Sequence, residues 1–140
     1  MLLLSSDFKY TFGLGHVPSY QTSAKPYLTS SLTVPIDSAD PLQIEFPNVS
    51  RFVIITNTSL PSDPSRPIRF GFSENGIKGS VDNNYAVLDN GETFQAEFKV
   101  TSVYLLADVA FEGSASVVAG LTGINKDRLE NNWTGSIGVG

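Results

Sequence analysis

Few residues in this sequence could support nucleophilic or metal chemistry. A Ser–His pair needs a base beside the nucleophile, and His16 is the only histidine. It stands between Gly13, Gly15 and Pro18, a composition typical of a loop. With one histidine and no cysteine, the chain also lacks the ligands that zinc prefers. We therefore expect no nucleophilic site, no metal site and no cofactor.

Carboxylates are the second group that could do chemistry, since glycoside hydrolysis needs only two acids across the scissile bond. Glu45 and Glu97 alternate with apolar residues, as charges on the outer face of a strand do. Glu74 and Glu92 stand beside turn residues. Outer strand charges and turn residues explain the four better than an acid–base pair does. An enzyme using Glu45 and Glu97 therefore ranks behind the other functions, and we expect that the chain is not an enzyme.

The charge balance excludes one class of partner and favours another. The 140 residues carry 9 Lys and Arg against 14 Asp and Glu, a formal net charge of -5. Nucleic acid is bound by neutralising its phosphates with clustered cations, and no such cluster is present, so we expect no direct nucleic-acid contact. Only 16% of residues are charged, which leaves neutral faces that tolerate close protein contact. These features favour a subunit of an assembly.

The beginning of the sequence does not have the pattern of a secretion signal. Leu2, Leu3 and Leu4 follow no positive residue, and their apolar run is shorter than the ~7–15 residues of a signal core. No stretch approaches the length of a membrane-spanning helix. We therefore expect a chain made without a signal peptide and without a membrane span.

The elements that must position any site are strands, because apolar residues recur at every second position. Residues 94–100 show the pattern most clearly, and residues 42–46 and 68–72 repeat it. Residues 51–57 and 103–107 are apolar on both faces. Each of these two strands should lie under covering loops or place one face on a neighbouring molecule.

Weaker strand patterns at residues 27–34, 85–88 and 115–122 bring the count to about eight. Turn residues separate nearly all of these segments, as in a β-sandwich or barrel. Residues 126–131 could form a helical turn, and the Pro-rich residues 59–67 should be an exposed loop. The alternation predicts a core lined by Leu42, Ile44, Phe46, Phe52, Ile54, Ile68, Phe70, Phe72, Phe94, Phe98, Val103, Leu105, Val117 and Leu121.

The two ends of the chain are predicted to be terminal arms of one domain spanning residues 1–140. Residues 131–140 carry no charge and hold Trp133, the only tryptophan, so we expect Trp133 to anchor this arm. Ile137 and Val139 are two apart and could add a short strand to a sheet edge. This arm and residues 1–12 could each dock on their own domain or on a neighbouring subunit.

Several segments, taken in order, are similar to a known group of proteins. Residues 19–27, 46–52 and 69–76, followed by residues 118–124 and 132–140, resemble short virion proteins of large double-stranded DNA viruses of algae and of marine phages. Those proteins are single jelly-roll capsid components of the penton, minor-capsid or decoration kind. The resemblance implies an all-β, single jelly-roll-like β-sandwich of about eight antiparallel strands.

The resemblance also implies a structural role in the virion. The partners would be other capsid proteins and copies of the chain itself, in contact within an icosahedral shell. The apolar and aromatic residues of the arms and nearby loops are the candidates for this assembly interface: Leu2, Leu3, Leu4, Tyr20, Tyr27, Trp133, Ile137 and Val139.

An alternative function is a carbohydrate-binding or receptor-binding module of a fibre or surface protein. Aromatic rings on a β-sandwich can stack on sugar faces, and a glycan would then be the partner. Four rings are candidates for this stacking: Tyr20, Tyr27, Tyr85 and Trp133.

Overall fold

The computed structural model describes residues 24–60, 65–79 and 82–140. Within these residues the chain forms nine strands, one short α-helix and one 3-10 turn. In chain order they are β1 Lys25–Leu28, β2 Leu32–Val34, β3 Leu42–Glu45, β4 Asn48–Asn57, β5 Ile68–Gly71, α1 Glu74–Lys78, β6 Ala86–Leu88, β7 Thr93–Ala96, β8 Ser102–Ala107, β9 Gly113–Asn125 and the 3-10 turn Lys126–Leu129.

The strands form two antiparallel sheets, which confirms the predicted all-β sandwich. One sheet has the order β1-β9-β4-β7, with β2 also on β9, and the other has the order β3-β8-β5-β6. β1 pairs with the middle of β9 and β2 with its beginning, and the two are separated at Ser31, whose φ of 54° interrupts the strand. Counted as one interrupted strand, they leave eight strands in the order of a jelly roll.

The strand patterns in the sequence found most of these elements. The weak segments 27–34, 85–88 and 115–122 all contain strands, and the predicted helical turn is present at Lys126–Leu129. Eight of the predicted core residues are buried: Ile44, Phe46, Ile68, Phe70, Val103, Leu105, Val117 and Leu121. Three more are partly buried against the same core: Leu42, Phe72 and Phe94.

The sequence pattern predicts the wrong buried face for strand β4. Val53 and Ile55 are fully buried between the sheets, while Phe52 and Ile54 are only half-buried on the outer face. A strand that is apolar on both faces has no period-two signal, so its sequence does not say which face is inside.

Phe98 is also placed wrongly by the sequence pattern. β7 ends at Ala96, two residues before Phe98, whose side chain is 41% exposed. Beyond Ala96, side-chain hydrogen bonds of Ser50 take the place of the regular backbone pairing between β4 and β7. The Ser50 hydroxyl donates to the Phe98 carbonyl and accepts from the Val100 amide at 3.0 Å. Phe98 therefore lies at the edge of the core, where its ring centroid is 6.0 Å from that of Phe94, while Val100 is buried.

The two-sided apolar strand β8 is covered by its own chain. Helix α1 packs against β5 and β8, and Leu106 on the outer face of β8 is as buried as Ile77 of the helix. The sequence indicated only turns here. Ser73 caps the start of the helix, where its hydroxyl accepts from the Gly76 amide, and Gly79 caps the end in the left-handed conformation.

The loop at residues 59–67 is only partly exposed. Leu60 is 79% exposed, as predicted, but Ser59 is 6% exposed. The reason is the buried Asn57, whose amide oxygen accepts from the Ser59 amide and whose amide nitrogen donates to the Arg66 and Leu88 carbonyls. This side chain holds the start of the loop against the end of the sandwich. Residues 61–64 lie outside the described residues.

Candidate assembly surface

The C-terminal tail, residues 131–140, lies against its own domain in a series of turns. Its most buried side chain is Asn132, which is 4% exposed. The Asn132 amide nitrogen donates to the carbonyls of Phe72 at 2.6 Å and Ser102 at 3.1 Å, and its oxygen accepts from the Thr101 amide at 2.7 Å. One side chain therefore ties the residue after β5 to the beginning of β8.

Trp133 contributes less to the tail than the sequence indicated. Its indole nitrogen donates to the Lys99 carbonyl at 3.0 Å, but the side chain is 37% exposed. The Lys99 ammonium lies 5.3 Å from the centre of the ring. The prediction of Trp133 as the anchor is wrong, because Asn132 makes the buried hydrogen bonds.

The end of the tail contacts helix α1. The Ser73 hydroxyl donates to the Val139 carbonyl at 2.7 Å. Gly76 permits this approach, since a Cβ atom there would lie 2.2 Å from the Val139 carbonyl oxygen. The expected short strand at Ile137 and Val139 is not formed within the described chain, because both residues lie in turns.

An apolar groove of about 450 Å³ separates the tail from the segment after β7. Phe72, Phe98, Trp133 and Val139 give it its apolar lining, and Glu97 and Lys99 also line it. The Phe98 ring meets the Phe72 ring edge-on at 5.5 Å between centroids. Such a groove can accept an apolar side chain from a partner.

Ile137 lines a neighbouring cavity with Asn75, Asp82 and Asn84, and this cavity adjoins the apolar groove at Gly138, which lines both. Ile137 directly precedes Gly138, and its side chain is fully exposed. We call Phe98, Trp133, Ile137 and Val139 together the tail surface. Three of the predicted interface residues, Trp133, Ile137 and Val139, are thus brought together, and Phe98 joins them although its sequence pattern indicated a core position.

The other predicted interface residues lie elsewhere. Tyr27 is half-buried against the core, with its ring edge-on to Phe46 at 5.0 Å. Leu2, Leu3, Leu4 and Tyr20 are outside the described residues.

The aromatic rings proposed for sugar stacking already have partners within the chain. The Arg69 guanidinium lies over the Tyr85 ring at 4.5 Å, and Lys99 lies over Trp133. Tyr27 meets Phe46, and Tyr20 lies outside the described residues. The rings of Tyr27, Tyr85 and Trp133 therefore have less surface free to stack on a sugar than the sequence alone indicates.

A second cavity, the polar cleft, lies on the outer side of the four-stranded sheet and has a volume of about 360 Å³. Burial raises the pKa of the Tyr104 hydroxyl, and the nearby carboxylates of Glu74 and Glu45 raise it further. Every side chain lining the cleft can hydrogen-bond: Gln43, Glu45, Thr101, Ser102, Tyr104, Lys126, Asp127, Glu130, Asn131, Asn132 and Thr134. No sequence pattern indicates this site, because its residues come from β3, β8, the 3-10 turn and the tail.

The described ranges contain no group of three His, Cys, Asp or Glu side chains that could hold a metal ion. In the same part of the chain, no helix has the length and apolar character needed to cross a membrane.

No protein-family model matches the chain, and neither a curated protein nor a solved structure matches it. The resemblance to virion proteins therefore stays a prediction from the sequence.

Proposed function

We propose that the chain is a structural protein of a virus particle, a penton, minor-capsid or decoration component of an icosahedral shell. It acts by binding other capsid proteins and copies of itself. The observation that carries this proposal is the tail surface, where Ile137 is fully exposed beside an apolar groove. The jelly-roll order of the strands and the resemblance of residues 118–124 and 132–140 to virion proteins support it.

The physical basis of this association is the removal of apolar side chains from water. Phe98 is 41% exposed and Trp133 37% exposed, so both can bury more area in a contact. Fully burying one large apolar side chain contributes about 1.5–3 kcal/mol. A few such residues on neighbouring subunits are enough to hold a weak contact, which a closed shell then repeats many times.

The Ile137→Asp substitution should weaken self-association by at least about tenfold, because the contact would have to bury a carboxylate without a partner. Sedimentation velocity over a wide concentration range measures this change. Leu60→Asp is the matched control, since Leu60 is 79% exposed and outside the tail surface, and it should associate like the parent chain. A parent chain that stayed monomeric at every concentration, and that mass spectrometry did not find in purified particles, would contradict the proposal.

A second candidate function is glycan binding, and the polar cleft is the observation that favours it. Sugars are held by several convergent hydrogen-bonding groups, and the cleft offers carboxylates, amides and the Tyr104 hydroxyl. In this version the cleft, and not the partnered rings of Tyr85 and Trp133, would contact the sugar.

A glycan array should then give a defined hit that Gln43→Ala weakens by roughly 5–30-fold, the loss of about one or two hydrogen bonds. Gln95→Ala is the control, because Gln95 is also an exposed strand glutamine but lies on β7 in the other sheet. An array without hits, or hits that both variants weaken equally, would count against the glycan function.

A further inference from the structure

The outer face of the five-stranded sheet carries a cluster of apolar side chains. Leu28 is the cross-strand neighbour of Val118, and Val118 is the neighbour of Ile54. Pro26 and Phe52 flank Gly120 in the adjacent row. We call this cluster the outer apolar face: Pro26, Leu28, Phe52, Ile54 and Val118.

The two sheets differ in how their outer faces are covered. On the four-stranded sheet, α1 covers Leu106, which is 1% exposed. On the outer apolar face, Leu28 is 72% exposed, so nothing in the described part of the chain covers its side chain. Contiguous apolar surface of this kind marks a place where another segment or molecule binds.

The described chain begins on this same face. A Cβ atom at Gly120 would lie 2.2 Å from the Phe52 ring and 2.5 Å from the Ala24 Cβ atom. The ring and the Ala24 methyl therefore occupy the space above Gly120. Ala24 is the first described residue, so residues 1–23 join the domain at the edge of the outer apolar face.

We propose that residues 2–12 of the same chain bind the outer apolar face and cover it. In their sequence Phe8, Tyr10 and Phe12 alternate with Lys9 and Thr11. An extended segment with this pattern presents its rings on one side, about 6.6 Å apart. The outer apolar face lies on three neighbouring strands, which together span roughly 10 Å. The row of three rings is therefore long enough to cover the width of this face.

The length of the intervening chain permits this return. Residues 13–23 can span up to roughly 36 Å when extended, several times the width of the face. Gly13 and Gly15 allow the chain to reverse direction between the two parts. The polar residues Lys9 and Thr11 would then face water.

The absence of cysteine from the sequence allows a direct test by thiol labelling. In the Leu28→Cys variant, a maleimide should react at least about tenfold more slowly in the full chain than in a chain without residues 2–12, because reaction requires the segment to open. Leu60→Cys is the matched control, since Leu60 is 79% exposed and should react equally fast in both chains. Equal rates for Leu28→Cys in both chains would overturn the proposal.

A second measurement uses only the full chain and so does not depend on how the shortened chain folds. A short bismaleimide should join the two thiols of a Tyr10→Cys, Leu28→Cys double variant within one monomer, whereas Tyr10→Cys with Leu60→Cys should give no such link. Failure of the first link would overturn the proposal. The proposal would also be overturned if dilution dissociated an oligomer and at the same time removed the protection of Leu28→Cys. The covering residues 2–12 would then come from a second copy of the chain.

Discussion

Replacing Phe70 with alanine should lower the free energy of unfolding by about 3–5 kcal/mol, the usual loss for a buried phenylalanine. Phe70 is 5% exposed, and its strand β5 lies between β6 and β8 inside the four-stranded sheet. The centroid of its ring lies 4.5 Å from the centroid of the Phe94 ring and 6.4 Å from that of the Phe72 ring. The cavity would therefore open between the two sheets, where neighbouring strands restrict collapse. Urea unfolding of both proteins measures the difference.

Phe98→Ala is the matched control for this measurement. Both phenylalanines occupy apolar alternation patterns in the sequence, but Phe98 is 41% exposed. Less of its surface leaves water on folding, so we expect a loss of roughly 1–2 kcal/mol. Equal losses for the two substitutions would mean that Phe98 is buried as deeply as Phe70, which would contradict the irregularity at Ser50.

Replacing Asn132 with alanine should lower the free energy of unfolding by roughly 2–5 kcal/mol, since several buried polar groups would lose their partner together. The Thr101 amide and the carbonyls of Phe72 and Ser102 all bond to this side chain. Asn132 is only 4% exposed, although it lies at the wall of the polar cleft. Urea unfolding measures the loss, and the tail should become accessible to protease at lower urea concentration than in the parent chain.

Three further substitutions separate the possible causes of that loss. Asn132 has a φ of 50°, so Asn132→Gly removes the hydrogen bonds without backbone strain and should remain strongly destabilising. Asn131→Ala changes an exposed neighbour and should have little effect. Trp133→Ala should cost less than Asn132→Ala, because the indole is partly exposed. The reverse order would restore Trp133 as the anchor.

The attachment of the tail bears on the proposed assembly. Asn132 holds its beginning, and Ser73 holds its end through the Val139 carbonyl. Ile137 lies between these two points and is therefore presented from a segment fixed on both sides. A contact residue that is already ordered loses less conformational entropy on binding than one on a free end.

Two of the three amphipathic strands could be predicted from the sequence together with their buried faces. In residues 42–46 and 68–72 one face is apolar and the other polar, so a single register buries the apolar set. Ile44, Phe46, Ile68 and Phe70 are buried accordingly.

The inner face of β4 could not be predicted, because Phe52 and Ile54 are as apolar as Val53 and Ile55. Only the packing of two sheets selects between such faces. Helix α1 was missed for a related reason, since its five residues are too few to show a helical period.

The candidate sites depended most on tertiary structure. The sequence by itself determined the strand-rich fold, the low charge and the uncharged tail, because these follow from composition and from the two-residue period of a strand. The tertiary structure decided that Asn132 and not Trp133 holds the tail, that Phe98 joins the tail surface, and that the polar cleft forms at all. These features join residues far apart in the chain, and a hydrogen bond or groove between them exists only after the sheets bring them together.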